Sequence, residues 1–114
     1  VWNELLAADA PAATTFYAEL SGAVISEQAR EGGVYRVLRS QGKDRAGIMP
    51  RPADDIQPFW LTHFGVEDVE SATRKAAELG GEVLLAPDPD LRDGRFAVVV
   101  DPNGAVLALS QSAN

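Results

Sequence analysis

The sequence predicts an α+β fold made of two βαβββ modules. Three observations support this prediction: an internal repeat, a capping residue before each predicted helix, and strand patterns after both helices. When the 114-residue chain is shifted by 59 positions, residues 8–25 align with residues 67–84, and 8 of these 18 pairs are identical. The matches share one register without gaps and include Asp9 with Asp68 and Gly22 with Gly81. Such a repeat indicates one structural unit that is used twice.

Each copy of the repeat contains a helix that begins after an aspartate. The carboxylate of Asp9 or Asp68 can accept hydrogen bonds from the free N–H groups of the first helical turn. Glycine near the end of each helix suits the left-handed residue that closes it. The spacing of apolar residues predicts the buried side of each helix. The first buried set is Ala13, Phe16, Tyr17 and Leu20, and the second is Val69, Ala72, Ala76 and Leu79.

Short apolar segments bounded by turn residues predict four strands in each module. These segments are residues 1–8, 23–27, 34–39 and 45–49 in the first module, and 60–67, 82–85, 95–100 and 105–110 in the second. The connecting turns are centred on residues 31–33, 40–43 and 101–104. Because two open four-stranded halves of this size need a common core, we predict a single domain, 1–114. Module one covers residues 1–50, the linker 51–57, and module two 58–114.

The composition restricts the functional classes. The chain has no cysteine and a single histidine, which excludes disulfides, cysteine nucleophiles and sites that need several imidazoles. Ten basic and 17 acidic residues give a net charge of −7, which disfavours nucleic acids and suits a neutral or cationic ligand. The sequence contains no apolar run long enough to span a membrane and no signal-peptide pattern. We therefore expect a cytoplasmic protein without nucleic-acid or membrane partners.

Two segments carry a resemblance to a known family. The segment WNELLAADAPAATTFYAELSG and the closing DGRFAVVVDPNGAVLALSQ resemble the vicinal oxygen chelate superfamily, which includes glyoxalases, bleomycin-resistance proteins and dioxygenases. The most specific pieces are Phe16-Tyr17 before Gly22, the capping Asp68, and the turn at residues 101–104. Within the superfamily, the chain looks most similar to glyoxalase-like or hydroxylase-like proteins of actinobacteria. The resemblance implies that the two modules form an open, cleft-bearing mixed β-sheet barrel.

The resemblance also indicates where a metal would be bound. In the metalloenzymes of the superfamily, four ligands come from strands that face the cleft. The corresponding positions here are Trp2, Gly47, Leu61 and Ala108. None of these side chains offers the carboxylate or imidazole donor that a divalent cation needs in such a site. We therefore predict no metal and no cofactor, and we do not expect a metal-dependent glyoxalase or dioxygenase of the usual kind.

Strand alternation identifies the remaining residues on the cleft side. Glu4 shares the side of Trp2, His63 shares the side of Leu61, and the 59-residue shift makes Glu4 and His63 equivalent. If they meet, the carboxylate can hold a charged imidazole or orient it as a general base, so they are the candidate catalytic residues. A hydrogen-bonded structural pair is the simpler interpretation. The predicted ligand pocket consists of Trp2, Gly47, Met49, Leu61, Phe96, Ala108 and Ser110, with Tyr35 as a weaker candidate. We expect Trp60 to pack under the second helix or at a subunit interface.

Three functions are compatible with these residues. The first is metal-free binding of a small organic molecule in the cleft, similar to bleomycin-resistance proteins, and the net charge favours it. The second is a metal-independent enzyme of lyase or isomerase type that uses Glu4 and His63. The third is a non-catalytic half of a tandem protein, because some members of the superfamily carry two such domains. The open strand edges of the predicted sheets favour a homodimer.

Overall fold

A computed structural model describes residues 1–30 and 33–111 of the chain. These residues form two compact units, 2–61 and 62–111, with the division inside one strand. Each unit contains one βαβββ module, apart from the first residues of that strand, and the α+β class of the sequence prediction is confirmed. No helix within the described ranges is both long and apolar enough to cross a membrane.

Module one contains five regular elements. They are β1 (Trp2–Ala7), α1 (Ala10–Ser21), β2 (Val24–Arg30), β3 (Gly33–Ser40) and β4 (Lys43–Pro50). The strands are ordered β2-β3-β4-β1, with β1 parallel to β4 and the other neighbours antiparallel. The predicted turn at residues 40–43 is present, and its central Gln41 and Gly42 have φ values of 55° and 74°, which suit a two-residue hairpin. Of the turn predicted at residues 31–33, Glu31 and Gly32 lie outside the described residues.

Module two repeats this order. It contains β5 (Phe59–Val66), α2 (Val69–Glu78), β6 (Glu82–Leu85), β7 (Phe96–Val100) and β8 (Val106–Gln111), with a short 3-10 turn at Arg92–Gly94 before β7. The strands are ordered β5-β8-β7-β6, with β5 parallel to β8 and the other neighbours antiparallel. The turn before β8 is closed by the Asp101 carboxylate, which accepts hydrogen bonds from the backbone N–H groups of Asn103 and Ala105 at 2.8 and 3.0 Å.

Both helices begin as predicted. The Asp9 carboxylate accepts a hydrogen bond from the backbone N–H of Ala12 at 3.0 Å. The Asp68 carboxylate accepts two, from Glu70 at 3.0 Å and from Ser71 at 3.3 Å. Each aspartate thus satisfies N–H groups that have no partner within the helix.

The buried sides of the helices are only partly as predicted. The side of α1 that packs on its sheet begins at the buried Ala10 and includes Ala13 and Tyr17, whereas Phe16 and Leu20 are 57% and 70% exposed. Successive residues are rotated by about 100° around a helix axis. A buried stripe that runs through Ala10 and Tyr17 therefore leaves Phe16 on the exposed side of α1. The prediction for Leu79 is also wrong. This residue is 68% exposed because α2 ends at Glu78, one position earlier.

Each sheet packs one face against its own helix. In module one, Leu5, Ala7, Leu38, Ala46 and Ile48 form the core with α1. In module two, Ala97, Val99, Leu107 and Leu109 pack with α2. Because side chains alternate along a strand, the residues between them point to the opposite face of each sheet. We call this side the helix-distal face, and it carries the residues that the sequence identifies as candidate site residues.

Candidate functional site

The helix-distal face of module one contains a buried polar network of three side chains, Trp2, Glu4 and Tyr35. The Trp2 Nε1–H group donates a hydrogen bond to the Tyr35 hydroxyl oxygen at 2.9 Å. The Tyr35 hydroxyl in turn donates to Glu4 Oε2 at 2.7 Å. Glu4 is only 2% exposed, so its carboxylate depends on partners within the protein. We call these three residues the Glu4–Tyr35–Trp2 network.

The Tyr35 hydroxyl keeps its proton in this network. Burial raises the pKa of the Tyr35 phenol far above its usual value of 10.0, and the hydrogen bond and negative charge of Glu4 raise it further. The Arg30 guanidinium stacks on the Tyr35 ring, with its central carbon 4.0 Å from the ring centre. Tyr35 is therefore a neutral hydrogen-bond donor to Glu4 at neutral pH.

Gly47 has no side chain, and the Tyr35 ring occupies the space where one would lie. It is the β4 partner of Glu4 in the β1–β4 ladder and the partner of Val37 in the β3–β4 ladder. A Cβ atom at position 47 would overlap the Tyr35 hydroxyl and the ring carbon that bears it. Met49, two residues further along β4, shares this face and is half-buried.

The helix-distal face of module two contains the only histidine of the chain. His63 is 4% exposed, and its Nδ1 atom lies 2.7 Å from the Ser110 hydroxyl oxygen on β8. The serine hydroxyl can donate to a neutral imidazole nitrogen or accept from a protonated one. The His63 and Phe96 ring centres are 5.6 Å apart. Ala108, fully buried, is the β8 partner of His63 in the β5–β8 ladder.

A solvent-open pocket of about 250 Å³ borders this cluster in module two. Its lining residues are Arg92, Asp93, Arg95, Ser110 and Gln111. Ser110 thus contacts His63 and also forms part of the cavity wall. The Arg92 guanidinium carbon lies 4.7 Å from the centre of the Phe96 ring, so an arginine stacks on a helix-distal aromatic ring here as in module one.

The structure joins the predicted site residues in two groups. Trp2, Glu4 and Gly47 meet around Tyr35 in the unit 2–61, which also contains Met49 and the buried Leu61. His63, Phe96, Ala108 and Ser110 lie together in the unit 62–111. Glu4 and His63 each have a hydrogen-bonding partner within their own unit.

Trp60 packs on the first helix. Its ring lies edge-on to the Tyr17 ring with centres 5.2 Å apart, and its Nε1–H group donates a hydrogen bond to the Tyr17 hydroxyl at 3.2 Å. The side chain remains 38% exposed. The contact with Tyr17 on α1 was not among the predicted surroundings of Trp60, which were the second helix or a subunit interface.

Comparison with known families identifies the fold family of the chain. Residues 2–109 match the family model described as the glyoxalase/bleomycin resistance protein/dioxygenase superfamily, which covers nearly the whole sequence. The chain belongs to this superfamily. The resemblance stated from the sequence is thereby confirmed.

Curated relatives within the superfamily are about twice as long as this chain. "Putative glyoxylase CFP32" of Mycobacterium tuberculosis is 34% identical over 114 residues, covering 99% of this chain and 44% of the relative. The anthracycline biosynthesis protein DnrV of Streptomyces peucetius is 30% identical over 124 residues, covering 95% of this chain and 45% of the relative. The chain therefore spans less than half the length of these relatives.

Solved structures of low sequence identity share the fold. A hypothetical protein from Bacillus halodurans matches with a TM-score of 0.71 at 11% identity, covering 99% of this chain and 93% of that chain. Methylmalonyl-CoA epimerase from Mycobacterium tuberculosis matches with a TM-score of 0.66 at 16% identity, covering 99% and 87%. At these identities the likeness concerns the superfamily's fold alone.

The residues present do not fit the superfamily's metal site. At the four positions that the sequence resemblance assigns to metal ligands, Leu61 and Ala108 are apolar, Gly47 has no side chain, and Trp2 has only an N–H donor, which it gives to Tyr35. The Tyr35 ring lies against Gly47, where a side-chain ligand would have to start. Among the described residues, no group of three His, Asp or Glu side chains could hold a metal ion.

Sequence reasoning missed three arginines and underestimated Tyr35. Arg30 and Arg92 stack on Tyr35 and Phe96, and Arg95 lines the cavity beside Ser110. A signal was available, because a shift of 61 residues aligns Tyr35 with Phe96, and an arginine precedes each ring by five or four positions. The stacking itself was not predictable, since it depends on the conformation of each arginine side chain.

Proposed function

We propose that this chain binds a small organic molecule in the pocket beside Ser110 in module two, without a metal ion. The observation that carries the proposal is the double role of Ser110, which bonds to the buried His63 and also lines a cavity of about 250 Å³. The five residues around this pocket are all polar or charged and the pocket is open to solvent, so it suits a small polar molecule. The unsuitable side chains at the four metal-ligand positions support the metal-free part.

Module one supports binding more than acid–base catalysis. The Glu4 carboxylate is buried and already accepts the Tyr35 proton donor, whose raised pKa keeps the proton in place. A general base has to reach a substrate proton directly or through one water molecule. The Glu4–Tyr35–Trp2 network therefore disfavours Glu4 as a proton acceptor in catalysis.

A metal-independent lyase or isomerase that uses Glu4 and His63 is the second candidate. The contact between His63 Nδ1 and Ser110 favours it, because such a bond orients an imidazole and selects its tautomer. An enzyme of this type would exchange a C–H proton of its substrate with solvent. Proton NMR in D₂O would detect that exchange for any ligand identified, and it should disappear in His63→Gln.

Ligand screening together with elemental analysis tests the proposed function. We expect no stoichiometric divalent metal in the purified chain, and at least one small organic molecule that raises the melting temperature. Ser110→Ala should weaken that effect, whereas the matched control Ser40→Ala, at the β3–β4 turn of module one, should leave it unchanged. About one tightly bound metal per chain, or a stabilising ligand indifferent to Ser110→Ala, would contradict the proposal.

A further inference from the structure

An apolar groove lies on the helix side of module two, between α2 and the strands β7 and β8. It has a volume of about 310 Å³ and shares no lining residue with the pocket beside Ser110. Its apolar walls come from the helix side and from the sheet, and include Ala72, Ala76, Leu79, Val99, Leu107 and Leu109. We propose that this groove, which we call the α2 groove, binds the ring of a small phenol. This inference goes beyond the proposed function and does not depend on it.

The internal repeat shows what fills the corresponding place in module one. The 59-residue shift aligns Ala76 with Tyr17, and both lie at the same distance from the capping aspartate of their helix. The Tyr17 side chain packs against the core of module one, whereas Ala76 brings only a methyl group to the core of module two. The α2 groove is therefore the place where a phenol ring of module one has no counterpart in module two.

The sheet walls of the two places also correspond. A shift of 61 residues aligns three core residues of module one with three groove residues of module two, namely Leu38 with Val99, Ala46 with Leu107 and Ile48 with Leu109. The first of each pair belongs to the core cluster against which Tyr17 packs, and the second lines the α2 groove. An apolar surface of the kind that holds a phenol ring in one module is thus present in the other. Covering such a surface with an aromatic ring is favourable, because apolar area is removed from water.

The close approach of the end of α2 to β7 fixes the shape of the groove. The Gly81 N–H group donates a hydrogen bond to the Ala76 carbonyl at 2.9 Å. A Cβ atom at position 81 would lie 2.7 Å from the Val100 carbonyl oxygen and 3.0 Å from that of Ala76, so a side chain here would prevent this approach. A site whose walls are fixed before binding loses little entropy when a ligand arrives.

The volume of the groove suits a single ring. An apolar cavity of about 150 Å³ can hold benzene. A groove of about 310 Å³ therefore has room for one ring with small substituents. Because the groove is open to solvent, a polar end of the ligand can remain in water.

Lys75 supplies a hydrogen-bond donor at the groove. It is a lining residue at the position that corresponds to Phe16 in module one. Among the described residues, no carboxylate oxygen lies within 4 Å of its ammonium group. Asp101, the other charged lining residue, accepts hydrogen bonds from two backbone N–H groups of its own turn. The ammonium group is thus available to the electron-rich oxygen of a phenol, which can accept a hydrogen bond from it.

An NMR titration with a matched pair of probes tests the α2 groove. The first probe is p-cresol, which has the structure of a tyrosine side chain, and the second is 4-methylcyclohexanol, which has the same substituents on a ring that is not flat. We expect p-cresol to shift the backbone ¹H–¹⁵N signals of Ala72, Ala76 and Leu107, with the millimolar affinity that is usual for so small a ligand. The cyclohexanol should bind at least about fivefold more weakly, because its thicker ring lacks the flat face that packs against the walls.

Substitutions of Ala76 place a side chain in the groove. Ala76→Tyr should raise the melting temperature by about 2–8 °C, because it fills a gap in the packing. It should also weaken p-cresol binding by about tenfold or more, since the ring of the variant occupies the site. Ala76→Leu fills the groove in part, should weaken binding to a smaller extent, and keeps the test valid if Ala76→Tyr does not fold. Ala77→Tyr is the matched control, because Ala77 is exposed and is not a lining residue, and it should change neither quantity.

Three outcomes would overturn the inference. If 4-methylcyclohexanol binds as tightly as p-cresol, the groove accepts apolar molecules in general and the inferred phenol class is wrong. If p-cresol shifts none of the three signals, or binds Ala76→Tyr as well as the unmodified chain, the α2 groove is not its site. If light scattering without a probe shows that Ala76→Tyr halves the mass and Ala77→Tyr does not, the groove is filled by a second copy of the chain. The proposed function is tested separately through Ser110→Ala, so either one can fail without the other.

Discussion

Tyr35 is the residue that determines the polar structure of module one. It accepts a hydrogen bond from Trp2 and donates one to Glu4, and both partners are on β1. Without the hydroxyl, a buried carboxylate and an indole N–H group would each lose a hydrogen bond. The equivalent residue in module two is Phe96, which has no hydroxyl and lies beside His63 instead. A single oxygen atom thus distinguishes two otherwise corresponding aromatic positions.

Tyr35 should make the stability of the protein decrease with rising pH in the alkaline range. Its pKa in the folded state lies above the usual value of 10.0, mainly because of burial, so the folded form retains a proton that the unfolded form releases. The stabilisation is complete below about pH 10 and decreases as the pH rises further, by up to about 1.4 kcal/mol per pH unit. Urea unfolding at several pH values between neutral and alkaline checks this slope.

Tyr35→Phe is the control for that measurement. It removes the titrating group, so the free energy of unfolding should be lower at neutral pH but should fall less steeply above about pH 10. Other tyrosine and lysine residues contribute equally to both proteins and cancel in the comparison. Parallel slopes for the two proteins would show that Tyr35 is not the titrating group responsible.

At the scale of elements, the packing of β3 on β4 around Tyr35 requires that Gly47 has no side chain. The Tyr35 ring from β3 lies over this position of β4. We expect Gly47→Ala to destabilise the protein by about 1–3 kcal/mol, the usual cost of forcing extra volume into a packed site. Chemical denaturation measures the change.

Gly65→Ala is the matched control for that substitution. Gly65 is also a strand glycine, but apart from its chain neighbours no described residue has an atom within 4 Å of where its Cβ would be. Its effect should stay within about 0.5 kcal/mol. A second test places Gly47→Ala in a Tyr35→Leu background, where the smaller side chain leaves room and the cost should shrink. Equal costs for Gly47→Ala and Gly65→Ala would mean that the Tyr35 ring moves aside freely.

The features that were predictable from the sequence are those with local causes. The caps at Asp9 and Asp68, and the turn at residues 101–104, each depend on a side chain bonding to backbone a few residues away. The buried side of α1 was less predictable, because its core side is lined by small residues and a Tyr while Phe16 points outward.

The candidate site was only partly predictable for a similar reason. Strand alternation placed Glu4 on the same side of its strand as Trp2, but its hydrogen bond to Tyr35 joins residues 31 positions apart. The contact between His63 and Ser110 spans 47 positions. Such contacts depend on strand order and register, which a single sequence does not specify.

At the scale of the whole molecule, we expect a homodimer. Phe16 and Leu20 on α1 are large apolar side chains that remain exposed, and exposed apolar patches are common at interfaces. Light scattering at micromolar concentration should give about twice the chain mass of 12.1 kDa. Phe16→Glu should weaken the dimer, whereas Leu84→Glu, at an exposed apolar residue of module two, should not. A mass near that of one chain for the unmodified protein would reject the prediction.

The internal repeat has a consequence for how this protein could have diversified. In a dimer of two identical modules, both copies have the same sequence, so every substitution appears in both. Once the two modules are joined in one chain, each can mutate alone. Here, equivalent strand positions hold a carboxylate in one copy, Glu4, and an imidazole in the other, His63. A substitution in one module therefore changes the side chain at one of the two equivalent positions and leaves the other as it is.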